Sequence, residues 1–406
     1  MIRSKHTDGF EWVIVGAGVH GAYLARELVG SDVDRDDIAV VDRRGEFLGA
    51  FEEKARACGM DSLRSTFVQH VGPDPFGLEA FAEGSGRDDE LCPTRNHPPR
   101  PSLDLFLDHT ERVIDRFGLE ELLAERTVTG IDRKRGEIVV RTDRGDLLAR
   151  NAVLAVGPGD RYRRPDWASN VPGVEHVWDS DGRPEDRIDR GDRVWIVGGG
   201  VTAGQFATSI GDIAGEVTLC VRGSIREATA EADPRWINWG HIERELHSLP
   251  PGSKARYDRV RDVRNEGTMP SYLAREIRGT ESVEIRRGEV RRASATDGTV
   301  SVLLDGGAVE SVDRVVLATG FQPPYDRPLV GAIANSMGLE RGYRGMPVLD
   351  DATMAWRRRD GEPSRLFVTG RLAECTAGPL AGNIHGARRA AERIVGESAA
   401  RTAQRV

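Results

Sequence analysis

Lysine is scarce in this chain of 406 residues: only Lys5, Lys54, Lys134 and Lys254 occur. None lies in a recognisable motif, which argues against a Schiff-base lysine. Cysteine is equally rare, and Cys58, Cys92, Cys220 and Cys375 include no C-x-x-C pair. That spacing excludes a zinc ribbon and an adjacent redox dithiol, no metal site is expected, and a reducing, cytoplasmic location fits best. No apolar run approaches the roughly 20 residues of a membrane span. The opening MIRSKHTDGF leads into the first strand without an apolar leader, so no signal peptide is expected. Positive charge is not in excess: the net charge is −8, so neither nucleic acid nor an anionic membrane is the expected partner. With 39% hydrophobic and 30% charged residues, the chain is globular and long enough for two or three domains.

What is present is organised around Phe10–Leu28. The apolar run Trp12–Val15 reads as a buried strand, breaks into Gly16-Ala17-Gly18-Val19-His20-Gly21, and continues as a helix over Ala22–Leu28. The spacing G-x-G-x-x-G, between strand and helix, is that of a dinucleotide-binding turn. Gly16 permits the tight turn, Gly18 lets a pyrophosphate approach the backbone, and Gly21 lets helix pack on strand. The N–H groups around Val19 and His20 then face the phosphates. A second strand, Ile38–Val41, ends in Asp42-Arg43, and an acid at Asp42 suits an adenosine ribose diol.

The βα alternation then lapses. Arg43–Pro101 is rich in Gly, Pro, Asp and Arg, and Gly84–Arg100 reads as an exposed loop. A stretch this long inside a domain is usually functional, and Phe47, Phe67, Phe76 and Phe81 imply that it packs against something. Ser102 is placed to cap an amphipathic helix through Phe117. Short strands at Thr127–Asp132, Glu137–Thr142 and Leu147–Ala149 suggest an antiparallel meander, followed by the buried strand Ala152–Val156 ending at Gly157. Arg161–Arg190 reads as a polar linker.

At Arg193–Gly204 the opening pattern recurs. The strand Val194–Val197 runs into Gly198-Gly199-Gly200-Val201-Thr202-Ala203, a G-x-G-x-x-A turn, with a helix over Thr202–Ile213 and a strand over Glu216–Val221. That strand ends at Arg222 rather than an acid. A guanidinium pairs with a 2′-phosphate where a carboxylate would repel it, so NADP is favoured over NAD. Helices follow around Ile242–Leu249 and Ala255–Arg264, and strands at Val283–Arg286, Val300–Leu304, Val312–Ala318 and Leu366–Thr369, the last reaching Gly370. The closing helix is expected to begin after Gly378-Pro379 and run to about Val395, with Glu397–Val406 fraying.

Two nucleotide folds in one chain are best explained by two cofactors, a flavin on the first and a nicotinamide on the second. The expected architecture is α/β, with two Rossmann-like dinucleotide-binding domains and the NADP domain nested within a discontinuous FAD domain. Residues 1–165 form the first part of the FAD domain, with a substrate or cap insertion at about 45–101. Residues 191–310 form the NADP domain, and 311–406 complete the FAD domain.

The strand ends Ala155-Val156-Gly157 and Leu317-Ala318-Thr319-Gly320-Phe321 resemble the two crossing points of two-dinucleotide-binding-domain flavoproteins. The second is close to the L-A-T-G-[YF] of flavin-containing monooxygenases and microbial N-hydroxylases. Gly59-Met60, Leu63, Phe67-Val68 and Asp74-Pro75-Phe76 are similar to the segment after the first strand pair in the lysine/ornithine N-monooxygenase-like group, a class B flavin monooxygenase group. The resemblance covers most of the chain and is diffuse outside the glycine motifs. It implies flavin contacts at Met60 and at Arg64, which stands where the family has a glutamine. Gln69 stands where the family has a substrate-holding lysine, so an anchor for an amino-acid carboxylate is missing. Gln69 and His70 are the substrate candidates. Gly173-Val174-Glu175-His176-Val177-Trp178 only approximates a Baeyer–Villiger fingerprint, and His176 reads as structural. Gly378, Pro379 and Leu380 are expected beside the flavin, with the closing helix dipole favouring its reduced, negative form by roughly 0.3–1 kcal/mol. Cys375 reads as a packing residue and Cys220 as core.

The activity implied is that of an FAD-dependent NADPH oxidoreductase, a monooxygenase that hydroxylates an amine or another soft nucleophile through a flavin hydroperoxide, with a small-molecule substrate and molecular oxygen as partners. The alternative is an NAD(P)H-dependent flavin reductase passing electrons to a carrier or quinone. A non-catalytic cofactor sensor is a third reading. No His/carboxylate pair stands out as general acid or base, and a homo-oligomer is compatible with the sequence.

Overall fold

The computed structural model describes residues 9–31 and 33–403. Lys5 and the last three residues of the expected frayed tail lie outside the described residues. Two sheets dominate, the first with a parallel centre and antiparallel additions, the second parallel throughout. In the first, the strands run in the order Ala355–Arg357, Pro363–Val368, Leu147–Leu154, Phe10–Val15, Ile38–Asp42, Leu123–Glu125, and the meander Val128–Lys134/Glu137–Thr142 joins through Leu147–Leu154. Phe10–Val15 lies between two parallel partners, with Val13 opposite both Ala39 and Ala152. Burial on both faces explains its unbroken apolar composition. In the second sheet the order is Val283–Arg287, Glu216–Val221, Arg193–Val197, Arg314–Leu317, Val174–His176. A three-stranded antiparallel ribbon, Val290–Thr296, Thr299–Leu304 and Val309–Val312, packs beside it.

Several sequence expectations are corrected here. Arg161–Arg190 is not only a linker, because Val174–His176 forms the edge of the second sheet. The expected strand Val312–Ala318 divides at Asp313. Its second half, Arg314–Leu317, pairs with Arg193–Val197, so the second sheet takes a strand from beyond residue 310. The stretch 43–101 is not loop: it forms helices Gly49–Ala57 and Gly77–Ser85 and a hairpin, Leu91–Thr94 with His97–Pro101. The two-stranded ribbon tolerates Pro93, Pro98, Pro99 and Pro101 because its outer contacts use carbonyls, the Pro99 and Pro101 oxygens accepting the Phe67 and Leu63 N–H groups at 2.9 and 3.0 Å, and Asn96 takes the left-handed turn position at φ 62°.

Helix Leu103–Phe117 starts as expected. Ser102 Oγ accepts the Leu105 N–H at 2.9 Å, and Gly118 closes the helix at φ 58°. The long C-terminal helix begins at Ile384 and runs through Ala403, later at both ends than expected. Gly378, at φ 86°, instead ends the short helix Glu374–Ala377. No described helix is long and apolar enough to cross a membrane.

Candidate active site

Both glycine corners are built the same way. At the first, Gly16 has φ 109°, and a Cβ there would lie 2.5 Å from the Ala155 carbonyl oxygen. A Cβ on Gly21 would lie 1.8 Å from the Gly16 oxygen. Turn, crossing strand and helix therefore touch through backbone alone. A Cβ on Gly18 would meet nothing within 4 Å, so the middle glycine faces open space while its neighbours are used for packing. Gly18 is the N-cap of helix Val19–Val29 and supplies no side-chain cap. The first-turn N–H groups of Val19, His20 and Gly21 thus lie at the positive end of the helix without intrahelical partners.

At the second corner, Gly198 has φ 153° and its Cβ would lie 2.5 Å from the Ala318 oxygen, as Gly16 lies against Ala155. Gly200 caps helix Val201–Ile210, on whose first turn Val201 and Thr202 are half-buried. Ala203, fully buried, holds the third position. Arg222 is exposed just past the end of Glu216–Val221, and no carboxylate pairs with it among the described residues.

Asp42 braces the first corner. Its Oδ2 accepts the Ala17 N–H and its Oδ1 the Arg44 N–H, each at 2.9 Å. Each oxygen keeps a further acceptor site for a hydroxyl. Arg43 pairs with Asp160, which Lys54 also reaches at 3.1 Å. These contacts tie the strand end to the loop after Leu147–Leu154.

The C-terminal segment closes over this corner. Thr369 N–H donates to the Leu154 oxygen, and Thr369 Oγ1 lies 2.7 Å from His20 Nδ1. Burial, partly offset by hydrogen bonding with the Gly382 and Asn383 backbone, lowers the His20 pKa to about 4. His20 is therefore neutral at physiological pH, and its Nε2 is buried with no partner. A Cβ on Gly157, Gly320 or Gly370 would meet nothing within 4 Å. Those open glycines leave room for a cofactor at this corner, whereas the His20 ring is closed off against Thr369 and the Gly382-Asn383 backbone.

The helix end at this corner is the start of Ile384–Ala403, not Gly378-Pro379-Leu380 as the sequence suggests. Gly378, Pro379 and Leu380 are buried under the 226–270 segment: Gly378 faces Trp236 and Ile242, and the Pro379 oxygen accepts from Arg264 at 3.1 Å. Arg264, 9% exposed, also reaches Glu231 at 3.2 Å and the buried Glu374 at 3.4 Å. Sequence reasoning missed Arg264 and Glu374. An acid three residues after Arg371 was the available signal.

The junction between the sheets is aromatic. Trp178 stacks on Phe321 with ring centroids 4.4 Å apart, and His176 stacks on Tyr162 at 4.6 Å. Trp178 Nε1 donates to the Lys54 oxygen at 3.0 Å, and Arg327 donates to the Val156 and Gly157 oxygens. Burial lowers the His176 pKa to about 4, in keeping with a structural role.

Arg64 is anchored on one side to the 226–270 segment, while its Nη1 has no hydrogen-bond partner among the described residues. Its Nη2 donates to the Ala228 oxygen at 2.6 Å and to Thr268 Oγ1 at 3.1 Å, and its Nε donates to the Thr229 oxygen at 3.0 Å. The adjoining Gly59-Met60 segment presses on the second unit as well, since a Cβ on Gly59 would lie 2.4 Å from Ser209 Oγ. Met60 packs against two of the cores. His70 is also a structural residue: its Nδ1 accepts the Gly72 N–H at 3.0 Å, and its Nε2 faces the Pro75 oxygen at 3.3 Å. Gln69 is half-buried in the adjoining turn, its N–H bound to the Thr66 oxygen. Among the described residues, no hydrogen bond joins Gln69 or His70 to either corner.

All four cysteines are free. Burial raises the Cys58 pKa to about 12 and that of Cys220 to about 11, and it pushes Cys375 up as well. These three thiols are protonated and inert.

Two glycine corners joined by paired crossing strands define a two-dinucleotide-binding-domain oxidoreductase fold. The chain belongs to the pyridine nucleotide-disulphide oxidoreductase family, whose profile matches residues 10–238. No curated protein sequence matches it significantly. Among solved structures it is similar to an ornithine N-hydroxylase from Kutzneria sp. 744, at 18% identity and TM-score 0.74, over 97% of this chain and 100% of that one. It is also similar to an FAD-bound cadaverine monooxygenase from Erwinia amylovora, at 13% identity and TM-score 0.71, over 96% and 94% of the two chains. A bacillithiol disulfide reductase from Staphylococcus aureus matches at 15% identity and TM-score 0.62, over 97% and 98%.

Proposed function

We propose that the protein is an FAD- and NADPH-dependent monooxygenase of a reducing compartment that hydroxylates an amine lacking an α-carboxylate. Bound FAD, reduced by NADPH, would supply the activated oxygen. The balance is NADPH, a proton, oxygen and amine giving NADP⁺, water and the hydroxylated amine. The N–H groups of Val19, His20 and Gly21 bind the FAD pyrophosphate, with Gly18 leaving it room, and Asp42 accepts from the ribose hydroxyls. The His20 side chain, held by Thr369, braces this corner without adding charge. Gly200, Val201 and Thr202 receive the second pyrophosphate, and Arg222 pairs with the 2′-phosphate.

One observation carries the choice of oxygen over thiol chemistry: the buried thiols of Cys58, Cys220 and Cys375 are held protonated and none stands in a dithiol pair. The uncharged Gln69 supports a substrate without a carboxylate, and the similar cadaverine monooxygenase is named for such an amine. A reductase serving a carrier or quinone is the second reading, because Arg64 stands where the resembled N-hydroxylases have a flavin-contacting glutamine. Anaerobic NADPH titration of the FAD-loaded protein, followed by oxygen uptake with diamines, amino acids and sulfides, separates the two. Hydroxylated product matching NADPH consumed supports the proposal. Stoichiometric hydrogen peroxide with every amine supports the reductase.

A further inference from the structure

A pocket of about 380 Å³ lies between the loop Gly72-Pro73-Asp74, helix Gly77–Ser85 and helix Leu103–Phe117. None of its lining residues belongs to either glycine corner, and the proposed activity makes no use of it. Its volume is at the lower end of small-molecule sites.

Three basic side chains of one helix line it. His109, Arg112 and Arg116 follow a spacing of three and then four, which places them along one helical face. Arg112 and Arg116 are exposed, and among the described residues neither has a carboxylate partner. Neighbouring arginines differ: Arg87 pairs with Glu90 and Asp108, and Arg56 with Glu52 and Asp104. The Arg112 guanidinium lies 5.7 Å from the Phe81 ring centre and that of Arg116 lies 5.8 Å from the Phe117 ring centre. The aromatic walls therefore support the two charges.

His109 is 5% exposed, and its Nδ1 is buried with no partner. Its ring meets His70 edge-on at 4.7 Å. Because both nitrogens of His70 are engaged, His109 holds the unfilled hydrogen-bonding position. Nδ1 is closed to the pocket, so Nε2, which has no hydrogen-bond partner among the described residues, is the nitrogen left to meet a ligand. Burial keeps His109 neutral, with a pKa lowered to about 3, so its ring offers one donor and one acceptor. The acid at the rim, Asp74, uses its Oδ1 to accept the Phe76 N–H at 3.0 Å. Two guanidinia opposed by one carboxylate suit a singly charged anion better than a doubly charged one.

We propose that this pocket binds a small monocarboxylate with an apolar body, its carboxylate held by Arg112 and Arg116 and its body against Phe81, Val113 and Phe117. Binding here lies outside the cofactor corners, so it stands or falls apart from the monooxygenase reading.

The test uses FAD-loaded enzyme titrated with benzoate by calorimetry, with inorganic phosphate as the contrasting anion. The wild-type protein is expected to bind one benzoate saturably, and phosphate is expected not to displace it. The double variant Arg112→Gln/Arg116→Gln changes two exposed side chains, so its FAD content and benzoate-free NADPH oxidation should match wild type. Its benzoate affinity should fall about tenfold or more, the scale of losing charge-assisted hydrogen bonds. His109→Phe should also weaken binding by filling the pocket. No saturation by about 10 mM benzoate, above the millimolar range of weak specific sites, would overturn the proposal. Unchanged affinity in the double variant, or displacement by equimolar phosphate, would overturn it too.

Discussion

His20 and Thr369 are 349 residues apart in sequence, yet His20 Nδ1 lies 2.7 Å from Thr369 Oγ1. This contact joins the first glycine corner to the residue that follows the strand Pro363–Val368. His20→Ala is expected to fold with a small loss of stability, since it removes one hydrogen bond worth about 1 kcal/mol. FAD retention should drop several-fold, and His20→Asn should restore part of it. The check is the flavin-to-protein absorbance ratio after gel filtration.

Acid stability follows from the same kind of burial. His20 and His176 have folded pKa values of about 4, below the ordinary 6.5. The unfolded chain therefore binds more protons between about pH 6.5 and about pH 4, and stability present above that window is lost as pH falls through it. Each group contributes a slope of up to about 1.4 kcal/mol per pH unit. His176→Phe keeps the aromatic stack with Tyr162 and should flatten the slope by close to one proton. Urea midpoints measured across this window will show it.

The glycines of the first corner should separate by mutation. Gly21→Ala forces a Cβ against the Gly16 oxygen, a backbone atom, and should cost about 2–4 kcal/mol in the protein without cofactor. Gly18→Ala meets open space and should leave the cofactor-free melting temperature nearly unchanged while lowering FAD affinity at least tenfold. Thermal melts with and without FAD distinguish these outcomes, and equal destabilisation of both apoproteins would contradict the geometry.

Arg222 is exposed and has no carboxylate partner among the described residues. Arg222→Ala should raise the KM for NADPH by about ten- to a hundredfold, as expected for loss of a phosphate-pairing guanidinium, with little change for NADH. Steady-state oxidation of both nucleotides tests it. A parallel loss for both would mean that Arg222 does not read the 2′-phosphate.

Arg64→Gln leaves the Ala228 and Thr229 oxygens short of donors. Thr229 is exposed and Ala228 half-buried, so a destabilisation of about 0.5–1.5 kcal/mol is expected, the net worth of a hydrogen bond. Flavin content should hold while NADPH turnover falls, because the broken contact lies between the two units. Loss of flavin with unchanged stability would point back to the cofactor contact read from sequence.

The corners were legible because G-x-G-x-x-G, G-x-G-x-x-A, Asp42 and Arg222 are local signals with a local cause. Elements defined by distant partners were not. Val174–His176 is three residues long in a polar stretch and becomes a strand only through its pairing with Arg314–Leu317. The hairpin Leu91–Pro101 was hidden by four prolines, which are allowed because the outer contacts of Pro99 and Pro101 use carbonyl oxygens rather than N–H groups. Arg64 and His70 were read from their place along the chain, but their partners, Ala228 and Pro75, decide their roles. The late start of the last helix reflects Gly378 at φ 86°, a backbone angle that sequence spacing does not reveal.

The stack of Trp178 on Phe321, with the indole N–H fixed to the Lys54 oxygen, sits where the two units meet. That position makes Trp178 an intrinsic optical gauge. Any rotation of one unit against the other would part this stack, so a change in emission read as the difference between the wild type and a Trp178→Phe variant would report it without an added label.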